Sequence, residues 1–160
     1  MADYKTEEDI KVPRFSEENG FYVTKERSKI MSAIRDKNTK PEILFRKALW
    51  KAGIRYRLHS KKFPGKPDIV INKFKTVVFI DGEFWHGQNW VKNRDRIKSN
   101  RDFWIPKIER NMQRDKQNNE KLLLMGFKVF RFWEQDLKKD LAGRVKEVLD
   151  YLQVVRRSTF

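Results

Sequence analysis

Two short β-branched runs, "PDIVI" at 67–71 and "TVVFID" at 76–81, are separated only by the polar "NKFK". Runs of this length and composition, joined by so short a polar link, predict two neighbouring strands closing as a hairpin. The helical patterns on either side of it then make the chain a mixed α/β fold.

Those patterns are specific. In "TKERSKIMSAIRDK" (24–37), Ile30, Met31 and Ile34 share one face of a short helix. In "NTKPEILFRKALWKAG", Thr39 with Glu42 three residues on has the form of a capping box. Pro41 suits a first turn and Gly53 a stop, so a helix is predicted over about 40–52. "IRYRLH" (54–59) and "FKVFRFWE" (127–134) read as strands, and the charged "VKNRDRIKSNRD" (91–102) as an exposed loop. From Asn100 to Met125, Phe103, Trp104, Ile108, Met112, Leu122, Leu123 and Leu124 predict a long helix stopped by Gly126. Asp140 is placed to cap a final helix carrying Leu141, Val145, Val148, Leu149 and Leu152. The order α, α, β, β, β, α, β, α gives a mixed sheet flanked by helices.

Length and charge narrow the partners. The 160 residues suffice for one domain, expected over 21–160. Residues 1–20 hold six acids and three bases and are expected as a flexible acidic tail, which leaves the remaining 140 residues a net +18 of the chain's +15. So basic a surface favours a polyanion, with nucleic acid first. No apolar run approaches the ~20 residues that span a bilayer, so a soluble, intracellular protein without a membrane partner is expected. With no cysteine, disulfides and thiolate zinc sites are excluded, and His59 and His86 are the two imidazoles. A metal here is expected to be held by oxygen.

If the hairpin closes around Phe74 and Lys75, Asp68 lies nearly opposite Asp81. Carboxylates so close repel, so either one is protonated or a cation sits between them. Magnesium, a hard divalent cation, fits that need, and beside a phosphate it would polarise a non-bridging oxygen and help orient an attacking water. His86, with an unperturbed pKa near ~6.5, could carry a proton in the same step. Each residue also has a plain reading: a strand start for Asp68, a turn for Asp81-Gly82, a cap for Glu42, core for Phe84 and Trp85. Their coincidence in one short block of a basic chain favours chemistry on nucleic acid.

The blocks "ERSKIMSAIRDKNTKPE", "FPGKPDIVI", "VVFIDGEFWHG", "RDFWIPKIERNMQRD" and "GFKVFRFWE" together resemble the very short patch repair endonucleases, bacterial enzymes that nick DNA beside a thymine–guanine mismatch. The resemblance covers roughly residues 26–135 and implies a restriction-endonuclease-like (PD-(D/E)XK) core. It implies that Asp68 and the Ile80 carbonyl bind one or two magnesium ions, that His86 is the catalytic histidine, and that Asp81 and Glu42 are further catalytic acids. By the same resemblance Phe84, Trp85 and Met31 would enter the base stack, and Lys107 and Asn111 would contact the mismatched bases. Arg101, Arg110 and Arg114 are expected at phosphates by charge alone. Familiar members carry a structural zinc where this chain has Glu83, Gln88, Trp90 and Gln135, so hydrogen bonds or Trp90 packing are expected to hold that loop. The partners implied are mismatched double-stranded DNA and a functional link to a cytosine DNA methyltransferase, for a monomer in the bacterial cytoplasm. The alternatives are a nuclease of the same fold cutting matched or modified DNA, a catalytically inactive DNA-binding module, and a structural role in a ribonucleoprotein.

Overall fold

The computed structural model describes residues 8–159. Four strands form one sheet in the order β1-β2-β3-β4: β1 Arg57–Leu58, β2 Ile69–Ile71, β3 Thr76–Asp81 and β4 Lys128–Trp133. The first two pairings are antiparallel and the third is parallel, so the sheet is mixed. A parallel pair needs a crossover connection. Here it contains α3 (Trp90–Asn93) and the long α4 (Arg101–Leu124). The remaining helices are α1 (Lys25–Ala33), α2 (Lys40–Lys51), α5 (Glu134–Lys139) and α6 (Leu141–Ser158).

Strand alternation divides the core in two. Ile69, Ile71, Val78, Phe130 and Phe132 face Phe45 and Leu49 of α2, Leu137 of α5, and Val145, Val148 and Leu152 of α6. Val70, Val77 and Phe79 face Leu122 of α4, with Phe63, Phe127 and Val129 beside them. Both faces of β3 are therefore covered, which is why it reads as a continuous apolar run. Each such side chain stabilises the fold by about 1.5–3 kcal/mol. Asp81 ends β3 on the same face as Phe79, beneath α4, and is buried there.

Several local expectations are corrected. The hairpin turn is a 3₁₀ turn over Asn72–Phe74 followed by Lys75 in left-handed backbone (φ 43°), so Ile71 pairs with Thr76 and Ile69 with Val78. The turn is thus centred one residue earlier than expected, and Asp68 comes level with Phe79 instead of Asp81. The expected strand 54–59 is reduced to two residues, and His59 beyond it is left-handed (φ 46°). Helix α1 stops at Ala33 because Ile34 is extended. Thr39 precedes α2, but its side chain makes no capping bond. Left-handed Asn38 instead turns its own N–H onto Glu42 Oε2 at 2.8 Å, so the capping box does not form. The segment 91–102, expected as loop, carries most of α3 and a 3₁₀ turn at Arg94–Arg96. Asn100 stands before α4, but its amide is used elsewhere: it accepts from the Tyr22 N–H at 3.3 Å and donates to the Tyr22 carbonyl at 2.7 Å. Asp140 does cap α6, accepting the Gly143 N–H at 3.0 Å.

Of the stretch expected as an acidic tail, residues 1–7 lie outside the described residues. Residues 8–20 run against α4. The Ile10 N–H donates to Gln113, Asp9 pairs with Arg110 at 2.9 Å, and Phe15 packs on Phe21 and Phe103. Among the described residues no helix is long and apolar enough to cross a membrane.

Candidate active site

The C-terminal end of β3 supplies the first acid. After Asp81 the chain turns through Gly82 into a loop that carries Glu83, Phe84, Trp85 and His86 back toward α4. Gly87, with φ 70°, lies so near α4 that a Cβ there would collide with Met112, so only glycine allows this approach. His86 is thereby placed between two acids. Its Nδ1 is 2.6 Å from Asp115 Oδ2 on α4, and its Nε2 is 3.8 Å from Asp81 Oδ1. Arg131 of β4 donates to Asp81 Oδ2 at 2.7 Å. Burial pushes the Asp81 carboxyl up, against the pull of Arg131 and His86. Burial alone would lower His86, but its hydrogen bond to Asp115 and the charges of Asp81 and Asp115 outweigh this and raise it.

Beside this trio lies Asp68. Its Oδ2 accepts the Ile80 N–H at 2.7 Å, which ties the start of β2 to the end of β3. Its backbone carbonyl receives the His59 N–H, and left-handed His59 then directs its ring between Asp68 Oδ1 (3.6 Å) and Glu42 Oε1 (3.0 Å). Glu42 is fully buried on α2 and also takes Arg46 at 3.2 Å. Burial, with the acids Glu42 and Asp81 near, pushes Asp68 up to about 7 in spite of the Ile80 hydrogen bond.

Among the described residues two groups of side chains could hold a cation, Glu42–His59–Asp68 and Asp81–His86–Asp115, each with its donor atoms within 4.8 Å of one another. The donor set suits a hard divalent ion: a carboxylate forced by burial into a range where it ionises reluctantly gains most from a positive charge beside it. In an extended strand the N–H and C=O of one residue point to the same edge, so the Ile80 carbonyl shares the edge occupied by Asp68. The sequence alone singled out neither His59 nor Asp115 as a site residue. Asp115 lies one helical turn after Asn111, and that spacing is the signal that could have found it.

The aromatic residues form a continuous set, with Phe84 edge-on to Trp85, both packed on Trp104, and Trp104 on Phe103. Phe84 is about half exposed. Met31 of α1 faces Phe84 and Trp85 across a cleft of about 1430 Å³. Asn111 donates to the Trp85 carbonyl at 2.9 Å and so fixes this loop to α4. Lys107 lies one turn earlier on the same helix, half-buried. The three arginines diverge: Arg114 is exposed, Arg110 is paired with Asp9, and Arg101 donates to the carbonyls of Arg94 and Ile97.

Hydrogen bonds hold the loop that has no cysteines to anchor it. Glu83 Oε1 accepts the Gln135 N–H at 2.6 Å and thereby caps the first turn of α5 from across the sheet end. Trp90 Nε1 donates to Glu109 at 3.1 Å, and the Gln88 carbonyl accepts from Asn93 at 2.7 Å.

The family model described as DNA mismatch endonuclease Vsr matches residues 20–92. The type II nicking enzyme V.NmeDIP of Neisseria meningitidis serogroup C is 47% identical over 115 residues, covering 72% of this chain and 78% of the relative. The type II nicking enzyme V.HpaIIP of Haemophilus parainfluenzae is 48% identical over 116 residues, covering 72% and 82%. The DNA mismatch endonuclease Vsr of Escherichia coli K12 is 32% identical over 113 residues, covering 70% and 71%. Across most of its length, then, this chain belongs to the Vsr family of DNA mismatch endonucleases, and it is a DNA endonuclease.

Proposed function

We propose that this endonuclease nicks one strand of duplex DNA beside a thymine–guanine mismatch, with magnesium, on a restriction-endonuclease-like PD-(D/E)XK core. The observation that carries the reading is the Asp68 carboxylate bound to the Ile80 N–H at 2.7 Å, beside His86 held between Asp81 and Asp115. Relatives named as type II nicking enzymes support a cut in one strand. With the four-residue α3 counted as part of the crossover, the order from α2 to β4 is α-β-β-β-α-β, which supports the core assignment.

Asp68 and the Ile80 carbonyl are the groups that would hold the ion. A bound divalent ion supplies Lewis-acid polarisation of a phosphate oxygen and neutralises the acids around it. Asp115 fixes the His86 ring through Nδ1 and leaves Nε2 for proton transfer, with Asp81 to stabilise the charged ring. The hydrogen bond to Asp115 and the nearby acids favour the charged ring, which suits His86 to donate a proton to the departing oxygen. Glu42 would act on Asp68 through the charge and placement of His59, whose ring lies 3.0 Å from Glu42 Oε1 and 3.6 Å from Asp68 Oδ1.

Phe84 and Trp85 on one side of the cleft and Met31 on the other would wedge a base step open, which costs about a few kcal/mol and least at a mismatch. Lys107 and Asn111 are assigned to the mismatched bases, and Arg114 with Arg101 and Arg110 to the phosphates. One site cutting one strand requires only a monomer. A thymine–guanine target would link the enzyme to a cytosine DNA methyltransferase, whose deaminated product creates that mismatch. The test is nicking of thymine–guanine and matched duplexes of one sequence with magnesium. Preference for the mismatch is expected, and equal rates would leave a nuclease of matched or modified DNA.

A further inference from the structure

In "KVFRFW", a strand otherwise read as structural, Arg131 is the one charge between the two inward aromatics Phe130 and Phe132. Register places it across from Phe79, and its guanidinium lies 3.9 Å from that ring centre. Its Nε donates to Asn119 Oδ1 of α4 at 2.8 Å. These two contacts fix the plane of the guanidinium. Its Nη1 is then 2.7 Å from Asp81 Oδ2 and 3.6 Å from Asp115 Oδ1. The other oxygen of each acid faces His86, Asp115 Oδ2 at 2.6 Å and Asp81 Oδ1 at 3.8 Å. Arg131, Asp81, His86 and Asp115 thus close a ring of contacts.

We infer that Arg131 is a positioning residue for strand nicking, holding the carboxylates of Asp81 and Asp115 turned toward opposite nitrogens of His86. This rests on the reading of that trio as the proton-handling part of the site. A planar fork reaches Asn119 and Asp81 by hydrogen bonds in fixed directions while keeping its charge 3.6 Å from Asp115, which the single ammonium of a lysine does not. An apolar residue of similar volume would suit the strand better than a largely buried guanidinium. Arg131 Nη2 is moreover buried without a partner, so the arginine is kept at a cost to stability.

The test measures single-turnover nicking, on whichever duplex the wild-type protein nicks, for Arg131→Lys, Arg131→Met, Asp81→Asn and the double variant Asp81→Asn/Arg131→Met. DNA affinity in EDTA and thermal unfolding are measured alongside. Expected are losses in rate of about tenfold for lysine and about a hundredfold for methionine, the range for residues that orient catalytic groups. Affinity should stay within about twofold of wild type, and the double variant should nick no more slowly than Asp81→Asn alone, because Arg131 acts through that acid. Wild-type rates in the Arg131 variants, or losses that multiply with that of Asp81→Asn, overturn the inference. If Arg131→Met does not fold, Arg131→Lys keeps the charge and decides by its own rate. A full-rate Asp81→Asn removes the reading of the trio and the inference with it. An impaired Asp81→Asn beside a full-rate Arg131→Met removes the inference alone.

Discussion

Replacing Asp68 by asparagine should make the metal-free protein more stable at alkaline pH while abolishing nicking. Burial, first, and then the nearby acids Glu42 and Asp81 push this carboxyl from an ordinary 3.8 to about 7, although the Ile80 N–H and His86 favour its charge. Between those two values the folded protein keeps a proton that the unfolded chain releases. Stability therefore falls as pH rises through this window and is lowest above pH 7. At 1.36 kcal/mol per tenfold change in proton affinity, the whole effect is about 4 kcal/mol. The side chain is only 15% exposed, so solvent screening removes little of it. The amide oxygen of the introduced asparagine would still accept the Ile80 N–H. We expect Asp68→Asn in EDTA at pH 8 to gain about 2–4 kcal/mol, or roughly 5–15 °C in Tm for a chain of this size. At pH 4 the gap should close. Magnesium at pH 8 should raise the Tm of the wild type and leave the variant unmoved. Paired thermal melts monitored by circular dichroism from pH 4 to 9 measure all of this. A variant that melts at or below the wild type at pH 8, or by the same margin at pH 4 and pH 8, refutes the argument.

Two further changes probe the loop. Glu83→Ala removes the acceptor for the Gln135 N–H, a charge-assisted bond at 2.6 Å, and should cost about 1–2 kcal/mol in urea unfolding, with loss of order in residues 83–90; no change would show that α5 does not anchor the loop. Trp85→Ala should weaken affinity for thymine–guanine duplex by about 1–3 kcal/mol and for matched duplex by less, as measured by fluorescence anisotropy, and equal losses would rule out the wedge.

The elements with long apolar periodicity were legible in the sequence. The ranges of α2, α4 and β3 fall within a residue or two of those expected, because Pro41, Gly53, Gly126 and the β-branched run mark their limits. Turns with left-handed lysine, histidine and asparagine were not: lysine carries no local signal for that backbone, and asparagine tolerates it without requiring it. Lys75 in that conformation moved the hairpin register by two residues, a shift that kept every strand side chain on its face and so left Asp68 near Ile80. Asp115 sits in a polar stretch of α4, where its place one turn after Asn111 was the one sign in the sequence and the approach of the "FWHG" loop gives it a partner. Arg131 had a readable sign, a charge inside a strand, but its partners come from β3 and α4. The docking of residues 8–20 rests on Phe15, Phe21 and Asp9, whose contacts are with residues some 80 to 100 positions away.

The carboxylate clasp between Glu83 and the first turn of α5 has a practical corollary. A loop fastened this way has no thiolate to keep reduced, and its hold on α5 is made by protein groups alone. Refolding from urea in EDTA should return a properly shaped but silent enzyme, and adding back magnesium alone should start it cutting.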